Sequence, residues 1–214
     1  RSLVGKAVVP GFEDVRAFGD VVSPSFQHDL IQSIKDEPEG MFPLNPDGTK
    51  DYAIIGISGG GANGAYGAGV MNGWTAAGTR PEFKIVTGIS TGALIAPFVF
   101  LGPSYDNQMK EMYTTVSTED IMKNKALFSV NSANSLADNK GLKKLVEANV
   151  TEDILSAIAA EHKKGKRLYV GTTNLDAQRL IVWDMGKIAL AGDKKALDLF
   201  RDVLIASAAI PIVF

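Results

Sequence analysis

The stretch that most constrains how this chain folds is a short β-prone run, residues 83–87, that leads directly into Gly88-x-Ser90-x-Gly92. Small apolar residues typical of a helix follow. A serine between two glycines at a strand-to-helix turn is typical of a nucleophile elbow, a sharp turn that needs small neighbours and strains the serine backbone. The following helix directs its free N–H groups and its positive dipole end at the same point. The sequence therefore predicts a nucleophile at Ser90; the alternative is a Ser/Gly-rich turn without chemistry.

Composition and charge narrow the function classes further. The 214 residues fit one domain, or one domain with an extension, and an apolar share of 45 % supports a real core. A net charge of −2 gives no indication of nucleic-acid binding. The chain has no cysteine, which excludes disulfides, zinc–thiolate sites and a cysteine nucleophile within it. It has two histidines, His28 and His162, and no apolar run as long as a membrane span.

Residues 1–50 are rich in turn formers and are predicted to be an N-terminal extension laid over a domain that spans residues 51–214. One helical patch, residues 25–35, interrupts them. His28 lies in this patch, where a surface histidine is the simplest interpretation. The chain starts at Arg1 rather than Met, so we expect that the natural N-terminus has been removed, which leaves room for a signal peptide. The apolar side chains on one face of the patch are Phe26, Leu30, Ile31 and Ile34.

At residue 51 the sequence changes to a β/α pattern. Residues 52–57 form a continuous apolar run, which predicts a buried parallel strand. A glycine-rich turn follows, and then a helix. Gly64, Gly67 and Gly69 weaken this helix, which predicts a close backbone approach to the sheet or the elbow. The residues expected on its inner face are Tyr66, Val70, Met71, Trp74 and Ala77.

Apolar periodicity predicts further elements: helices at residues 141–149 and after Thr151, strands at residues 168–173 and 180–183, and a helix at residues 194–209. Pro97 should kink or end the helix that follows the elbow. His162 falls in the last turn of another helix, and we expect it on the surface. One helical stripe, predicted to be core rather than a substrate groove, comprises Tyr105, Met109, Met112 and Val116. A basic cluster, for which a solvated helix end is favoured over contact with anionic lipid, comprises Lys163, Lys164, Lys166 and Arg167.

The glycine turn Gly59-x-Gly61-x-x-Gly64 also matches the dinucleotide-binding fingerprint. That fingerprint needs an acidic residue at the end of the second strand to hold the ribose. The nearby acid, Glu82, precedes that strand, and the elbow occupies the required position. A dinucleotide-binding protein is therefore the least favoured alternative, and a non-catalytic lipid- or partner-binding module is the other.

A serine hydrolase makes use of both glycine motifs. Three consecutive glycines leave bare N–H groups that can converge on one oxygen as an oxyanion hole. Together with the elbow and an Ala-Ser-Ala-Ala-Ile-Pro segment at residues 206–211, they make the sequence resemble the patatin-like phospholipase family. The resemblance spans residues 51–214, and a looser likeness to leader regions of bacterial envelope members occurs at residues 9–12 and 18–20. The matching glycines and serine are Gly59, Gly60, Gly61, Gly64, Gly88, Ser90 and Gly92.

The resemblance implies an α/β fold of three layers, α/β/α, with a mainly parallel central sheet that is truncated at the C-terminal end. It implies a serine acyl hydrolase of phospholipids or related lipid esters that uses a Ser–Asp dyad, which agrees with the scarcity of histidine. The family's aspartate belongs to an Asp-Gly motif after residues 206–211 and is expected beyond Phe214. Asp176 and Asp184, which follow strands, are fallback candidates. Asn63 stands where many members place Arg or Lys, which weakens the expectation of an extra cation at the oxyanion.

The same resemblance implies no metal and no organic cofactor. The expected partners are a lipid ester substrate and, peripherally, a membrane surface, without nucleic acid; the oligomeric state stays open. The leader likeness favours the bacterial cell envelope or secretion after removal of a signal peptide, with the cytoplasm as the alternative.

Overall fold

The computed structural model describes residues 8–114 and 140–209, which form a mixed α/β fold of five strands and eight α-helices, as the resemblance implies. Within these ranges no helix combines the length and the apolar character needed to cross a membrane. The strands are β1 (Arg16–Phe18), β2 (Ala53–Ile57), β3 (Phe83–Ile89), β4 (Arg167–Asn174) and β5 (Arg179–Asp184). The helices are α1 (Pro24–Lys35), α2 (Gly64–Ala76), α3 (Thr91–Leu101), α4 (Asp106–Thr114), α5 (Lys140–Asn149), α6 (Glu152–Lys163), α7 (Met185–Leu190) and α8 (Lys194–Ala208), with 3₁₀ turns at Gly61–Asn63 and Pro103–Tyr105.

The strands form one sheet in the order β1-β5-β4-β3-β2. β2, β3 and β4 are parallel to one another, whereas β5 runs antiparallel to both β4 and β1. The chain between the parallel strands contains helices, as parallel pairing requires. Gly88 of β3 pairs with Ile57 of β2 on one side and with Val170 of β4 on the other. The predicted elbow therefore starts in the middle of the carboxyl edge of the three parallel strands.

Helices lie on both faces of the sheet, so the predicted three layers are present. α3 packs on the face to which Gly88 points, because a Cβ at Gly88 would come within 2.8 Å of atoms of α3. α1 covers the other face, where Phe26 stacks on Tyr169 with ring centroids 5.7 Å apart. Tyr169 pairs with Thr87, which precedes Gly88 and therefore points to the opposite side.

The central element of the hydrophobic core is α3. Every residue from Thr91 to Phe100 is buried. The prediction that Pro97 ends the helix is wrong, because α3 continues to Leu101. Proline lacks the N–H for a helical hydrogen bond, but burial of α3 on all sides stabilises the turn that follows it. The predicted core stripe is confirmed at Met109 and Met112, and its last member, Val116, lies outside the described residues.

β2 and α2 are less buried than the sequence predicts. Within the described residues β2 is an edge strand, and Ile54 is 63 % exposed. On α2 the predicted inner face is correct at Met71, whereas Tyr66 and Val70 are exposed. Gly69 faces open space, so the predicted close approach is wrong there. An apolar run fits central and edge strands alike, because its pattern does not say what lies beside it.

Residues 8–50 are held to the rest of the protein by strand pairing and by ion pairs. β1 pairs with β5, Asp29 of α1 pairs with Arg167 at 2.5 Å, and Glu37 pairs with Lys84 at 2.5 Å. His28 is exposed, as predicted. The domain boundary at residue 50 stays a prediction. The apolar stripe of α1 contributes less buried surface to this attachment than expected, because three of its members are exposed: Leu30, Ile31 and Ile34.

The basic cluster after α6 is not the solvated helix end that the sequence predicts. Its first two lysines are exposed, but Lys166 and Arg167 are 1 % and 2 % exposed. Lys166 pairs with Glu82, and Arg167 pairs with Asp29. His162, also expected on the surface, is 5 % exposed. The acidic partners come from distant parts of the chain, so the local charge pattern does not reveal them.

Candidate active site

The serine at the end of β3 has a strained backbone and a hydroxyl without a capping role. Ser90 has φ 57° and ψ −126°, and residues with a side chain rarely adopt such a positive φ. It occupies the N-cap position of α3, yet its side chain makes no capping hydrogen bond. The N-terminus of α3, with the positive end of the helix dipole, begins at the next residue. The local structure therefore leaves a hydroxyl where developing negative charge is stabilised.

Close contacts require the glycines on both sides of Ser90. A Cβ at Gly88 would lie 2.5 Å from the carbonyl oxygen of Gly92. A Cβ at Gly92 would lie 2.2 Å from the carbonyl oxygen of Ile57. Both distances are shorter than any real Cβ contact, so the elbow backbone packs directly on itself and on the end of β2.

The glycine loop after β2 lies directly against Ser90. A Cβ at Gly59 would be 2.7 Å from the Cβ of Ser90. The N–H of Gly60 donates to Thr91 Oγ1 at 3.1 Å, which ties the loop to the start of α3. This bond occupies one of the three N–H groups predicted to hold an oxyanion. The N–H groups of Gly59 and Gly61 have no hydrogen-bond acceptor in the part of the chain that the structure describes.

A second hydroxyl reaches the elbow from the last turn of α8. The N–H of Ser90 donates to Ser207 Oγ at 2.9 Å, and Ser207 Oγ donates to the carbonyl oxygen of Gly171 in β4 at 2.6 Å. Ser207 belongs to a motif that carries the family resemblance, but the sequence predicted no structural or catalytic role for it. The same is true of Thr91. Their positions inside the motifs were the available signal. Their partners lie 117 and 31 residues away, so no local pattern identifies them.

An apolar cavity of about 330 Å³ adjoins the glycine loop. It lies between β2, α2 and α3, and Gly59 and Gly60 are among the residues that line it. Gly67 lets α2 approach α3, because a Cβ there would lie 3.2 Å from Ile95 Cδ1. Gly64 is buried at the start of the same helix. The described lining contains no charged residue; its larger side chains are Ile55, Ile57, Tyr66, Val70, Met71 and Ile95.

Comparison with protein-family models matches residues 56–214 to the patatin-like phospholipase family. The chain belongs to this family. The match includes the glycine loop, the elbow and the 206–211 segment, so the resemblance stated from those motifs is confirmed. The family consists of lipid acyl hydrolases, which favours that class over a dinucleotide-binding protein. No curated protein and no solved structure matches the chain.

One fallback candidate for the base of this patatin-like site is wrong. Asp184 pairs with Tyr169, which pairs with Thr87, three residues before Ser90. From strand geometry, Asp184 is roughly 10 Å along and roughly 10 Å across the strands from Ser90. Asp176 lies exposed in the β4–β5 turn, and its role stays a prediction. No described side chain hydrogen-bonds to Ser90 Oγ, and residues 210–214, which include the end of the 206–211 segment, lie outside the described residues.

A largely buried polar cluster of this patatin-like protein lies away from the elbow. In the described ranges, Asp29, His162 and Asp184 bring potential metal-ligand atoms within 4.8 Å of one another. His162 Nδ1 lies 3.9 Å from Asp184 Oδ1 and has no hydrogen-bond partner. Burial, helped by the charge of Arg167, lowers the pKa of His162 to about 4, and burial raises the pKa of Asp184 to about 6. Arg167 already supplies a cation to Asp29, and the expectation of a protein without a metal stays a prediction.

Proposed function

We propose that the protein hydrolyses ester bonds of phospholipids or related lipids with Ser90 as the nucleophile. The observation that carries the proposal is the close approach of Gly59, in the glycine loop, to the strained, uncapped Ser90. In acyl transfer the serine attacks the ester carbonyl, and negative charge develops on the carbonyl oxygen. In our proposal the N–H groups of Gly59 and Gly61 and the dipole of α3 stabilise that charge, while Gly60 holds the loop to Thr91.

The apolar cavity supports an alkyl chain as the substrate group next to the ester. It is lined in part by the same glycine loop and has no charged residue in its described lining. Each methylene that leaves water for such a surface contributes about 0.8 kcal/mol. Tyr66 and Val70, which line the cavity, are also exposed, and this supports peripheral contact with a lipid surface.

The base that we propose is an aspartate of the Asp-Gly motif that the family carries after the 206–211 segment. It would accept the proton of Ser90 directly, so the reaction needs no histidine. The position of both histidines supports this mechanism: His28 is exposed on α1, and His162 belongs to the cluster around Asp184. His28→Ala and His162→Gln should each keep most of the activity of the full-length protein. A loss of about 100-fold or more in either folded variant would favour a Ser–His arrangement.

The direct test replaces the nucleophile in the full-length protein. Ser90→Ala should lower kcat for a p-nitrophenyl ester and for phospholipid vesicles by at least about 1,000-fold, because it removes the attacking oxygen and little packing. A fluorophosphonate should label Ser90, as peptide mass spectrometry would show. Ser156→Ala, at an exposed serine on α6, is the matched control and should behave as wild type. A wild-type protein that binds vesicles but neither hydrolyses ester nor reacts with the probe would instead be a non-catalytic lipid-binding module.

A further inference from the structure

We propose that Ser207 is a positioning residue, which holds Ser90 in its reactive conformation through the backbone rather than through the reacting hydroxyl. This inference rests on the proposed function of Ser90 as the nucleophile. It starts from the hydrogen bonds that join three separate elements at one hydroxyl: the elbow, β4 and the last turn of α8.

The direction of these hydrogen bonds is fixed by the hydroxyl itself. Ser207 Oγ has one proton, and the carbonyl oxygen of Gly171 can only accept it, at 2.6 Å. A lone pair of Oγ is then left to accept the N–H of Ser90, at 2.9 Å. A hydroxyl that donates becomes a better acceptor, so the two bonds strengthen each other. The arrangement needs a side chain that both donates and accepts at this position.

The place of Ser207 in the sheet explains why the elbow needs such a group. The register of β3 with β4 ends at the pair Ile89 and Gly171. Ser90 follows directly, and its positive φ takes it out of the extended conformation of the strand. The Ser207 hydroxyl joins the N–H of Ser90 to the carbonyl of Gly171 where direct strand pairing stops. It therefore satisfies the backbone of the elbow while the elbow stays in a conformation that is costly by itself.

Two backbone N–H groups at the site already have hydrogen-bond acceptors. The N–H of Ser90 is used by Ser207, and the N–H of Gly60 is used by Thr91. Within the glycine loop, the N–H groups of Gly59 and Gly61 are then the ones left to hold an oxyanion. Ser207 is not among the residues that line the apolar cavity, so it should affect the chemical step and not the binding of the acyl chain.

The competing explanation is that Ser207 merely anchors the end of α8. Loss of an anchor lowers the melting temperature but leaves kcat unchanged as long as the protein is folded. Loss of a positioning group lowers kcat and the rate of covalent labelling of Ser90, while KM stays the same. The two explanations therefore differ in a kinetic readout.

The experiment compares Ser207→Ala, Ser207→Thr and wild type in the full-length protein, with Ser156→Ala as the exposed-serine control. The measurements are kcat and KM for a short p-nitrophenyl ester, the rate of fluorophosphonate labelling, and the melting temperature. In Ser207→Ala, kcat and the labelling rate should fall about 10- to 100-fold with KM within about twofold, since small misplacement of a reacting group costs rates of this order. Ser207→Thr keeps the hydroxyl and should recover kcat to within about threefold of wild type.

A folded Ser207→Ala variant with wild-type kcat and labelling rate would overturn the proposal, and so would an equal loss in Ser207→Thr. If Ser207→Ala does not fold at the assay temperature, Ser207→Cys takes its place, because a thiol keeps the volume but is a weak donor and acceptor. Slower labelling with an unchanged KM in that variant supports the proposal, and wild-type labelling overturns it. Failure of the proposed function is seen separately: wild type would then show neither turnover nor labelling at Ser90, and this inference would fall with it.

Discussion

A Cβ placed on Gly59 would lie 2.7 Å from the Cβ of Ser90, closer than real side-chain carbons approach. The glycine loop and the elbow are thus in direct contact, although they belong to different strand-to-helix turns. The close contact leaves no room for a side chain at residue 59.

The first prediction concerns that contact. Gly59→Ala should lower kcat/KM for ester hydrolysis at least about 100-fold, because the loop or the elbow must shift and the oxyanion donors move with it. Gly69→Ala is the matched control, since a Cβ there meets nothing within 4 Å on the exposed side of α2. The control should keep wild-type activity and raise the free energy of unfolding by up to about 1 kcal/mol, because alanine favours a helix. Similar kcat/KM values for the two alanine variants would show that the glycine loop can shift without loss of activity.

A second prediction tests the bond from the N–H of Gly60 to Thr91 Oγ1. Thr91→Val keeps the shape of this buried side chain but removes the acceptor, so the loop loses its attachment to α3. We expect kcat to fall about tenfold and the free energy of unfolding to fall by about 1–3 kcal/mol, the cost of an unpaired polar group. Thr91→Ser keeps the hydroxyl and should retain most of kcat. Equal kcat in the Val and Ser variants would argue that the loop needs no such attachment.

The third prediction concerns pH and the pair His162 and Asp184. The folded-state pKa of Asp184, about 6, is above its usual 3.8, so this carboxyl lowers stability as the pH rises through that range. The folded-state pKa of His162, about 4, is below its usual 6.5, so the imidazole lowers stability as the pH falls through that range. The two slopes oppose each other between about pH 4 and 6, and wild type should show little net dependence from this pair.

Single substitutions should separate the two slopes. Asp184→Asn keeps the acceptor for the N–H of Lys187 at the start of α7, and its stability should rise with pH by up to about 3 kcal/mol between pH 4 and 6.5. His162→Gln should show the reverse, a loss of stability as the pH rises from 4 to 6. Urea unfolding at several pH values measures both. Asp29 and Arg167, which also face His162, are unchanged in all three proteins. Parallel plots of unfolding free energy against pH for wild type and the two variants would contradict the assigned pKa directions.

A fourth prediction concerns the attachment of residues 8–50. Lys84 Nζ is buried and bonds to Glu37 at 2.5 Å and to the carbonyl oxygen of Ser33 at 2.9 Å. Glu37→Gln should cost about 3–5 kcal/mol of unfolding free energy, because it leaves a buried ammonium without its counter-ion. The exposed pair of Lys143 with Glu147 is the control, and Lys143→Ala should change stability by less than about 1 kcal/mol. Chemical denaturation measures the unfolding free energy of both variants. An equally small loss in Glu37→Gln and Lys143→Ala would mean that the buried pair does not stabilise the attachment of residues 8–50.

Much of the candidate site is visible in the sequence because its requirements are local. The elbow needs small residues immediately beside Ser90, and the strand before it and the helix after it have their own periodicity. The glycine loop is a similar local pattern, and the order of the motifs along the chain was sufficient to identify the family. The core positions of Met109 and Met112 follow from helical spacing alone. Each of these features depends on neighbours within a few residues.

The tertiary structure decided the contacts between residues that are far apart in the chain. The ion pair of Lys166 with Glu82 joins residues 84 positions apart, and that of Arg167 with Asp29 joins residues 138 apart. These partners bury two members of a cluster predicted to be solvated, Lys166 and Arg167, because a charged group can be buried when an opposite charge pairs with it. The hydroxyl of Ser207 likewise meets Ser90 across 117 positions. The sequence thus determined which residues form the elbow and the loop, whereas packing alone determined which distant hydroxyls accept hydrogen bonds from their N–H groups.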